Sequence, residues 1–266
     1  MSELVAQSVT VRFGGLLAVD DATLNVPEGE IVGLIGPNGA GKTTLFNAIC
    51  GFLQPARGLI KLDGADITKL PPSRRARLGI GRTFQKLELF HRMTVFDNLL
   101  VAAESAASKL DLASDLMHLP RRPREERRCA EIARGVMNEL DLGWAAERRA
   151  SDLPVGTGRI LELGRALCTQ PQIMLLDEPS SGLDTRETHA IGQLLQRINA
   201  ERGIGILLVE HDMDLVMEVC RQINVLDFGR MIAHGTPAEI VAEPAVRSAY
   251  LGEEEDDASA TPSARG

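Results

Sequence analysis

The chain has 266 residues, 44% hydrophobic and 25% charged, which is ordinary globular composition with length for one large or two small domains. A formal net charge of -8, with a single Trp and a single Tyr, sets it against nucleic acid as a partner, since neither a basic face nor a stacking platform is at hand. Four cysteines, Cys50, Cys129, Cys168 and Cys220, stand far apart without a CxxC pair, which points to buried reduced thiols in place of a zinc site or a disulfide framework.

The N-terminal run MSELVAQSVTVRF lacks the apolar core of a signal peptide. No stretch approaches the ~18 to 20 apolar residues that cross a bilayer, so a soluble cytosolic chain that meets a membrane only through a partner is expected. Short β-like segments open the sequence: LVAQSVTVRF, LLAVDDATLNV and EIVGLIG, separated by turn residues. A Gly-rich stretch leads into the helical run KTTLFNAICG, and RGLIKLDGADI reads as a further strand pair. Near residue 90 the texture becomes helical and stays so to about 160. The basic cluster RRPREERR at 121–128 reads as a solvated helix face there.

QIMLLDE and IGILLVE are near-continuous apolar runs, the pattern of parallel strands covered on both faces, and THAIGQLLQRINAE between them has helical spacing. This β, α, β alternation indicates an α/β core interrupted by a helical insertion. INVLDFGRMIAHG reads as a hairpin turning at Asp227 to Arg230, and EEEDDASATPSARG as an acidic tail that cannot bury enough surface to order itself.

Gly36 to Thr43, GPNGAGKT, matches G-x-x-x-x-G-K-[ST] between a strand and a helix, the context a phosphate-binding loop requires. Glycines there let backbone N–H groups converge on phosphate oxygens, and the helix N-terminus adds its partial positive charge. Lys42 supplies a cation for the β- and γ-phosphates and Thr43 a hydroxyl for Mg²⁺. IMLLDE then offers Asp177 as a metal carboxylate and Glu178 to orient and polarise the attacking water. His211, in ILLVEHD, stands at a third strand end, where it serves either as a structural residue or as a hydrogen-bond donor to the γ-phosphate.

GPNGAGKTT, RTFQ, LLDEPSSGLD and VEHD occur in the order and approximate spacing of the ATP-binding-cassette (ABC) ATPases, and the chain resembles that family from about residue 3 to 240. Its wording is most similar to the ATPase subunits of branched-chain amino-acid importers. The resemblance implies an α/β P-loop NTPase core, a small antiparallel β subdomain and an inserted helical subdomain at about 91–160, in an ATPase domain spanning 1–242. Residues 243–266 are then a C-terminal tail.

It further implies ATP and Mg²⁺ as cofactors, contacts along Gly36, Pro37, Asn38, Gly39, Ala40, Gly41, Lys42, Thr43 and Thr44, and metal ligation by Thr43, Gln85 and Asp177. Gln85 resembles the family's glutamine that reaches metal and water, and with Glu178 and His211 it completes the catalytic set. Phe13 sits where the family places a ring under adenine, although a Phe at a strand end serves equally as core. Asp184, in SSGLD, resembles the acidic member of a loop that crosses the dimer interface.

The implied partners are a second ABC ATPase subunit, identical or related, two transmembrane permeases, and indirectly an extracytoplasmic solute-binding protein, with the chain peripheral on the inner face of the cell membrane. KLELFHRMTVFDN at 86–98 reads either as the permease-facing surface or as core of the insertion. A urea or amide transporter is an alternative assignment. A soluble ABC protein acting on ribosomes or DNA fits less well, since neither a second cassette nor a coiled-coil insertion is present.

One motif departs from the family. Its signature loop is usually L-S-G-G-Q, and here LPVGT occupies 153–157. Pro154 brings neither hydroxyl nor N–H. Gly156 and Thr157 remain as donors to the γ-phosphate of the opposing subunit, which points to a weakness that falls on the partner's site and to an asymmetric pair.

Overall fold

A computed structural model of the chain describes residues 2–83, 88–107 and 122–250. Two sheets organise it. The first is antiparallel in the order β2-β1-β4-β5, built from β1 (Glu3–Phe13), β2 (Leu16–Pro27), β4 (Arg57–Leu62) and β5 (Ala65–Asp66). The second runs β10-β9-β3-β8-β7-β6, from β3 (Ile31–Ile35), β6 (Ile80–Arg82), β7 (Ile173–Asp177), β8 (Gly205–Val209), β9 (Gln222–Asp227) and β10 (Arg230–Gly235). All its neighbours are parallel except the β9–β10 hairpin, which turns where the sequence predicts.

Every residue of β3, β7 and β8 is buried, as their unbroken apolar runs require. Alternate side chains feed two separate cores. Ile31, Met174, Leu176, Ile206 and Leu208 pack on one face with the helical insertion, and Val32, Leu34, Leu175 and Leu207 on the other with the antiparallel sheet. Leu45, Phe46 and Ile49 of α1 (Lys42–Cys50) join this second core, so the helix after the Gly-rich loop is wedged between the two sheets.

Arg75, on the short helix α2 (Pro72–Arg77), is 1% exposed although it carries a charge. Its guanidinium donates to the carbonyls of Ala48 and Ile49 at 2.8 and 2.5 Å, and to those of Leu70 and Thr68. It thereby gives a partner to the Ile49 carbonyl at the end of α1 and a second one to the Ala48 carbonyl, which also accepts from the Gly51 N–H at 3.1 Å.

Among the described residues the helical insertion includes α3 (Val95–Ala107) and α4 (Arg122–Glu139), and residues 124–128 of the basic cluster are exposed. Asn98, fully buried, accepts from the Phe90 N–H at 2.9 Å and donates to the carbonyls of Phe90 and Thr94. Trp144, 59% exposed, lies under the Arg148 guanidinium, 4.8 Å from its ring centre.

The chain re-enters the core through α5 (Val155–Cys168), and α6 (Thr185–Arg202) follows β7. Arg202 of α6 donates through Nε to Glu139 at 2.9 Å and pairs with it through Nη2, which ties the insertion to the core. All four cysteines are buried and free. After α7 (Met213–Val219) and α8 (Pro237–Ala242) a further helical segment covers 244–250. Val246 is buried and Tyr250 packs on the core, so residues 244–250 dock onto it.

Candidate functional site

The carboxyl ends of β3, β8 and β7 lie side by side, with Leu34 opposite Val209 and Val209 opposite Asp177. The loop after β3 therefore stands beside the acids that end β7, at the edge where open α/β sheets place ligands. Within that loop Gly36 has φ 146, and a Cβ there would fall 1.9 Å from the Leu226 carbonyl oxygen. Gly41 has φ 101 and heads α1 without any side-chain cap. The first-turn N–H groups of Lys42, Thr43 and Thr44 are those that a helix leaves without internal acceptors. Lys42 is buried and donates from Nζ to the carbonyls of Gly36 at 2.5 Å and Pro37 at 2.9 Å, so its ammonium sits inside the loop's curve.

An open cavity of ≈ 540 Å³ brings together Phe13, Leu16, Leu17, the loop from Asn38 to Thr44, Glu178, Phe228 and Gly229. Its size falls within the range of small-molecule sites. The predicted Phe13 is thus on the same cavity as the phosphate loop and is 49% exposed, which excludes a core role. Leu16, Leu17 and Phe228 are site residues that sequence reasoning missed. Phe228 is 89% exposed at φ 41 on the tip of the β9–β10 hairpin. No periodicity marks such a residue; the turn residues Asp227 to Arg230 were the available signal.

Asp177 ends β7 and is 3% exposed. Burial pushes its carboxyl above the usual carboxylate range; Arg82 counters this, Glu178 and Glu210 add to it, and Lys42 counters it again. Such a group gains from a bound cation. Glu178 follows with φ 50, the left-handed region that non-glycine residues enter at a cost. Its N–H donates to the Val209 carbonyl at 2.9 Å. His211 is exposed, and its ring Nδ1 stands 3.9 Å from Glu210 Oε2. Gln85 lies outside the described residues.

Asp184, Gly156 and Thr157 line none of this cavity. Asp184 caps α6: its side chain accepts from the Glu187 N–H at 2.8 Å while Glu187 accepts from the Asp184 N–H. Pro154 is the N-cap of α5, and Val155 beside it is 51% exposed. Gly156 is buried under Glu187, and a Cβ on it would meet Glu187 Oε1 at 2.7 Å. Arg159 of α5 donates to the Ser181 carbonyl at 3.2 Å and pairs with Glu162 at 3.3 Å. The signature loop and the Ser180–Asp184 loop therefore form one surface within the chain.

A glycine-lined loop closing on a helix end, with a lysine in its curve and two acids at a strand end one strand further along the sheet, defines a P-loop nucleoside triphosphatase. The chain belongs to the ABC transporter family, whose profile matches residues 19–181, and it is accordingly an ATPase of that kind. A second profile, described as branched-chain amino acid ATP-binding cassette transporter, matches residues 230–256.

The chain is 45% identical over 250 residues to the high-affinity branched-chain amino acid transport ATP-binding protein BraF of Pseudomonas aeruginosa, covering 94% of this chain and 98% of the relative. The corresponding LivG protein of Escherichia coli is 43% identical over the same shares. The lipopolysaccharide export system ATP-binding protein LptB of Escherichia coli is 35% identical, over 96% and 99% of the two chains. Among solved structures, the ADP conformation of an ATP-binding cassette of an ABC transporter superposes with a TM-score of 0.83 at 33% identity, covering 95% of this chain and 99% of that one.

Proposed function

We propose that this chain is the ATP-hydrolysing subunit of an importer for branched-chain amino acids or a related small polar solute. The observation that carries hydrolysis is the shared cavity, in which Glu178 faces the phosphate loop and Lys42. In this reading Phe13 stacks on adenine, the amides from Asn38 to Thr44 and the Lys42 ammonium bind the phosphates, and Glu178 orients the attacking water and takes up its proton. His211 and Gln85 contact the γ-phosphate side.

Among the described residues no group of three His, Cys, Asp or Glu side chains is arranged to hold a metal ion. Mg²⁺ would be held by the Thr43 hydroxyl, Gln85 and the Asp177 carboxylate. When bound it neutralises charge on the phosphates.

Branched-chain amino acids are favoured over lipopolysaccharide export by two things: the higher identity to BraF and LivG, and the second profile match across the C-terminal residues. As an ABC transporter subunit, the chain is assigned to a pair of cassettes below two permeases on the inner face of the membrane. No helix among the described residues is long and apolar enough to cross one.

A groove of ≈ 400 Å³ suits the permease contact. It runs between the core (Phe52, Arg82), the insertion (Val101, Ala102) and α5 (Arg165), with Phe52 and Phe90 exposed along it. The exposed Pro154 and Val155 are assigned to the partner's nucleotide, in an asymmetric pair whose own hydrolytic set here is complete by residue type.

Uptake of labelled leucine and ATP turnover by the chain co-expressed with its permeases tests this reading. Glu178→Gln abolishes both if the chain's own site hydrolyses. Undiminished turnover, or uptake of urea with no uptake of leucine, overturns the corresponding half.

A further inference from the structure

Glu210 is fully buried at the rim of a hydrolytic site, between Val209 and the exposed His211. A carboxyl without solvent is costly unless its oxygens are used. Both are. Oε1 accepts from the Ser180 N–H at 2.9 Å, and Oε2 accepts from the His211 N–H at 3.2 Å. Immediately before it, the Val209 carbonyl accepts from the Glu178 N–H at 2.9 Å.

The end of β8 thus grips the chain at residue 178, at residue 180 and at residue 211. The gripped segment includes Glu178 with its φ of 50. Such a conformation persists only where the surroundings over-determine it. Beyond it, the Ser181 carbonyl accepts from Arg159, so the Ser180–Ser181 dipeptide is fastened at one end to Glu210 and at the other to the signature helix.

We propose that Glu210 is a positioning residue for ATP hydrolysis: its buried carboxyl holds the backbone of Ser180 and His211 and so fixes the Glu178 side chain against the phosphate loop. Glu210 does not line the nucleotide cavity; it acts through the two backbone amides. The inference rests on the roles proposed above for Glu178 and His211.

The test compares Glu210→Gln, Glu210→Ala and Glu178→Gln in the transporter complex, with ATP turnover, ATP affinity and melting temperature measured for each. A glutamine keeps volume and one acceptor but turns an N–H₂ toward the second amide. In Glu210→Gln, kcat is expected to fall about tenfold, equivalent to about 1.4 kcal/mol of barrier, while ATP affinity stays within about twofold because Gly36 to Thr44 is untouched. Glu210→Ala loses more.

A Glu210→Gln complex with unchanged kcat overturns the proposal, whether or not its melting temperature drops, because a purely structural carboxyl lowers stability alone. Unchanged turnover in Glu178→Gln instead overturns the reading of the site. Should neither Glu210 variant assemble, hydrogen exchange on the wild-type chain decides. Ser180 and His211 amides as protected as those of β8 support the role, and amides that exchange like an open loop overturn it.

Discussion

The backbone N–H of Gly229 donates to the carbonyl of Ala40 at 2.8 Å, which fastens the tip of the β9–β10 hairpin to the middle of the phosphate loop. Gly229 has φ 80, and a Cβ there would lie 2.8 Å from the Ala18 carbonyl oxygen. Gly229→Ala is therefore expected to lower stability by roughly 2 kcal/mol and to weaken ATP binding. Thermal unfolding with and without nucleotide measures both. Phe228→Ala leaves this backbone bond in place, so it weakens ATP binding without the loss of stability.

Burial pushes the thiols of Cys50, Cys168 and Cys220 up to about 12 from an ordinary 9.0. Between those values the folded chain holds protons that the unfolded chain has released. Their contribution to stability is intact below pH 9 and declines as pH rises toward 12, by up to about 1.4 kcal/mol per pH unit for each thiol. Chemical denaturation at pH 8, 9.5 and 10.5 should show this slope, and a variant with all three replaced by alanine should show a flatter one. At pH 8 the native chain leaves these three unalkylated by iodoacetamide, and the unfolded chain does not.

Asn98 holds the turn from Phe90 to Thr94 with three hydrogen bonds in a buried position. Asn98→Ala strips the Phe90 N–H of its partner and is expected to cost roughly 2–3 kcal/mol. Phe90 lines the groove assigned to the permease, so the same change should lower solute uptake per ATP hydrolysed in proteoliposomes. An uptake-to-hydrolysis ratio equal to wild type rejects the groove assignment.

Pro154 is the N-cap of α5 at φ -56 and ψ 154, a conformation in which serine is a good cap. Pro154→Ser adds a cap of about 1 kcal/mol but returns entropy to the unfolded chain, which leaves stability nearly unchanged. It also restores a hydroxyl and an N–H on the surface assigned to the partner's nucleotide. Turnover of the complex should therefore rise several-fold. Equal turnover in the two complexes shows that the proline withholds no donor that matters.

The phosphate loop was legible because Gly36, Gly39 and Gly41 carry backbone angles that few other residues reach. The strands ending at Ile35, Asp177 and Val209 were legible because burial on both faces leaves a continuous apolar run. Glu210 was not. Its neighbour His211 explains the motif at first sight, and one buried acid among charged residues has no periodic signature. The docking of 244–250 was hidden for a related reason, since Val246 and Tyr250 are too few to make an amphipathic pattern. Asp184 resembles a loop residue of the family, while its capping box with Glu187 follows from the D-x-x-E spacing that sequence alone displays.

Trp144 gives the molecule a native optical label. It is the chain's single tryptophan, and it lies in the helical insertion with Arg148 stacked on its ring. Emission excited at long wavelength therefore comes from that subdomain and not from the sheets around the nucleotide. Any event that lifts Arg148 off the indole, whether permease docking or rotation of the insertion, changes that emission directly. A melting curve followed by tryptophan fluorescence reports when the insertion lets go, and circular dichroism of the same sample reports the fold as a whole.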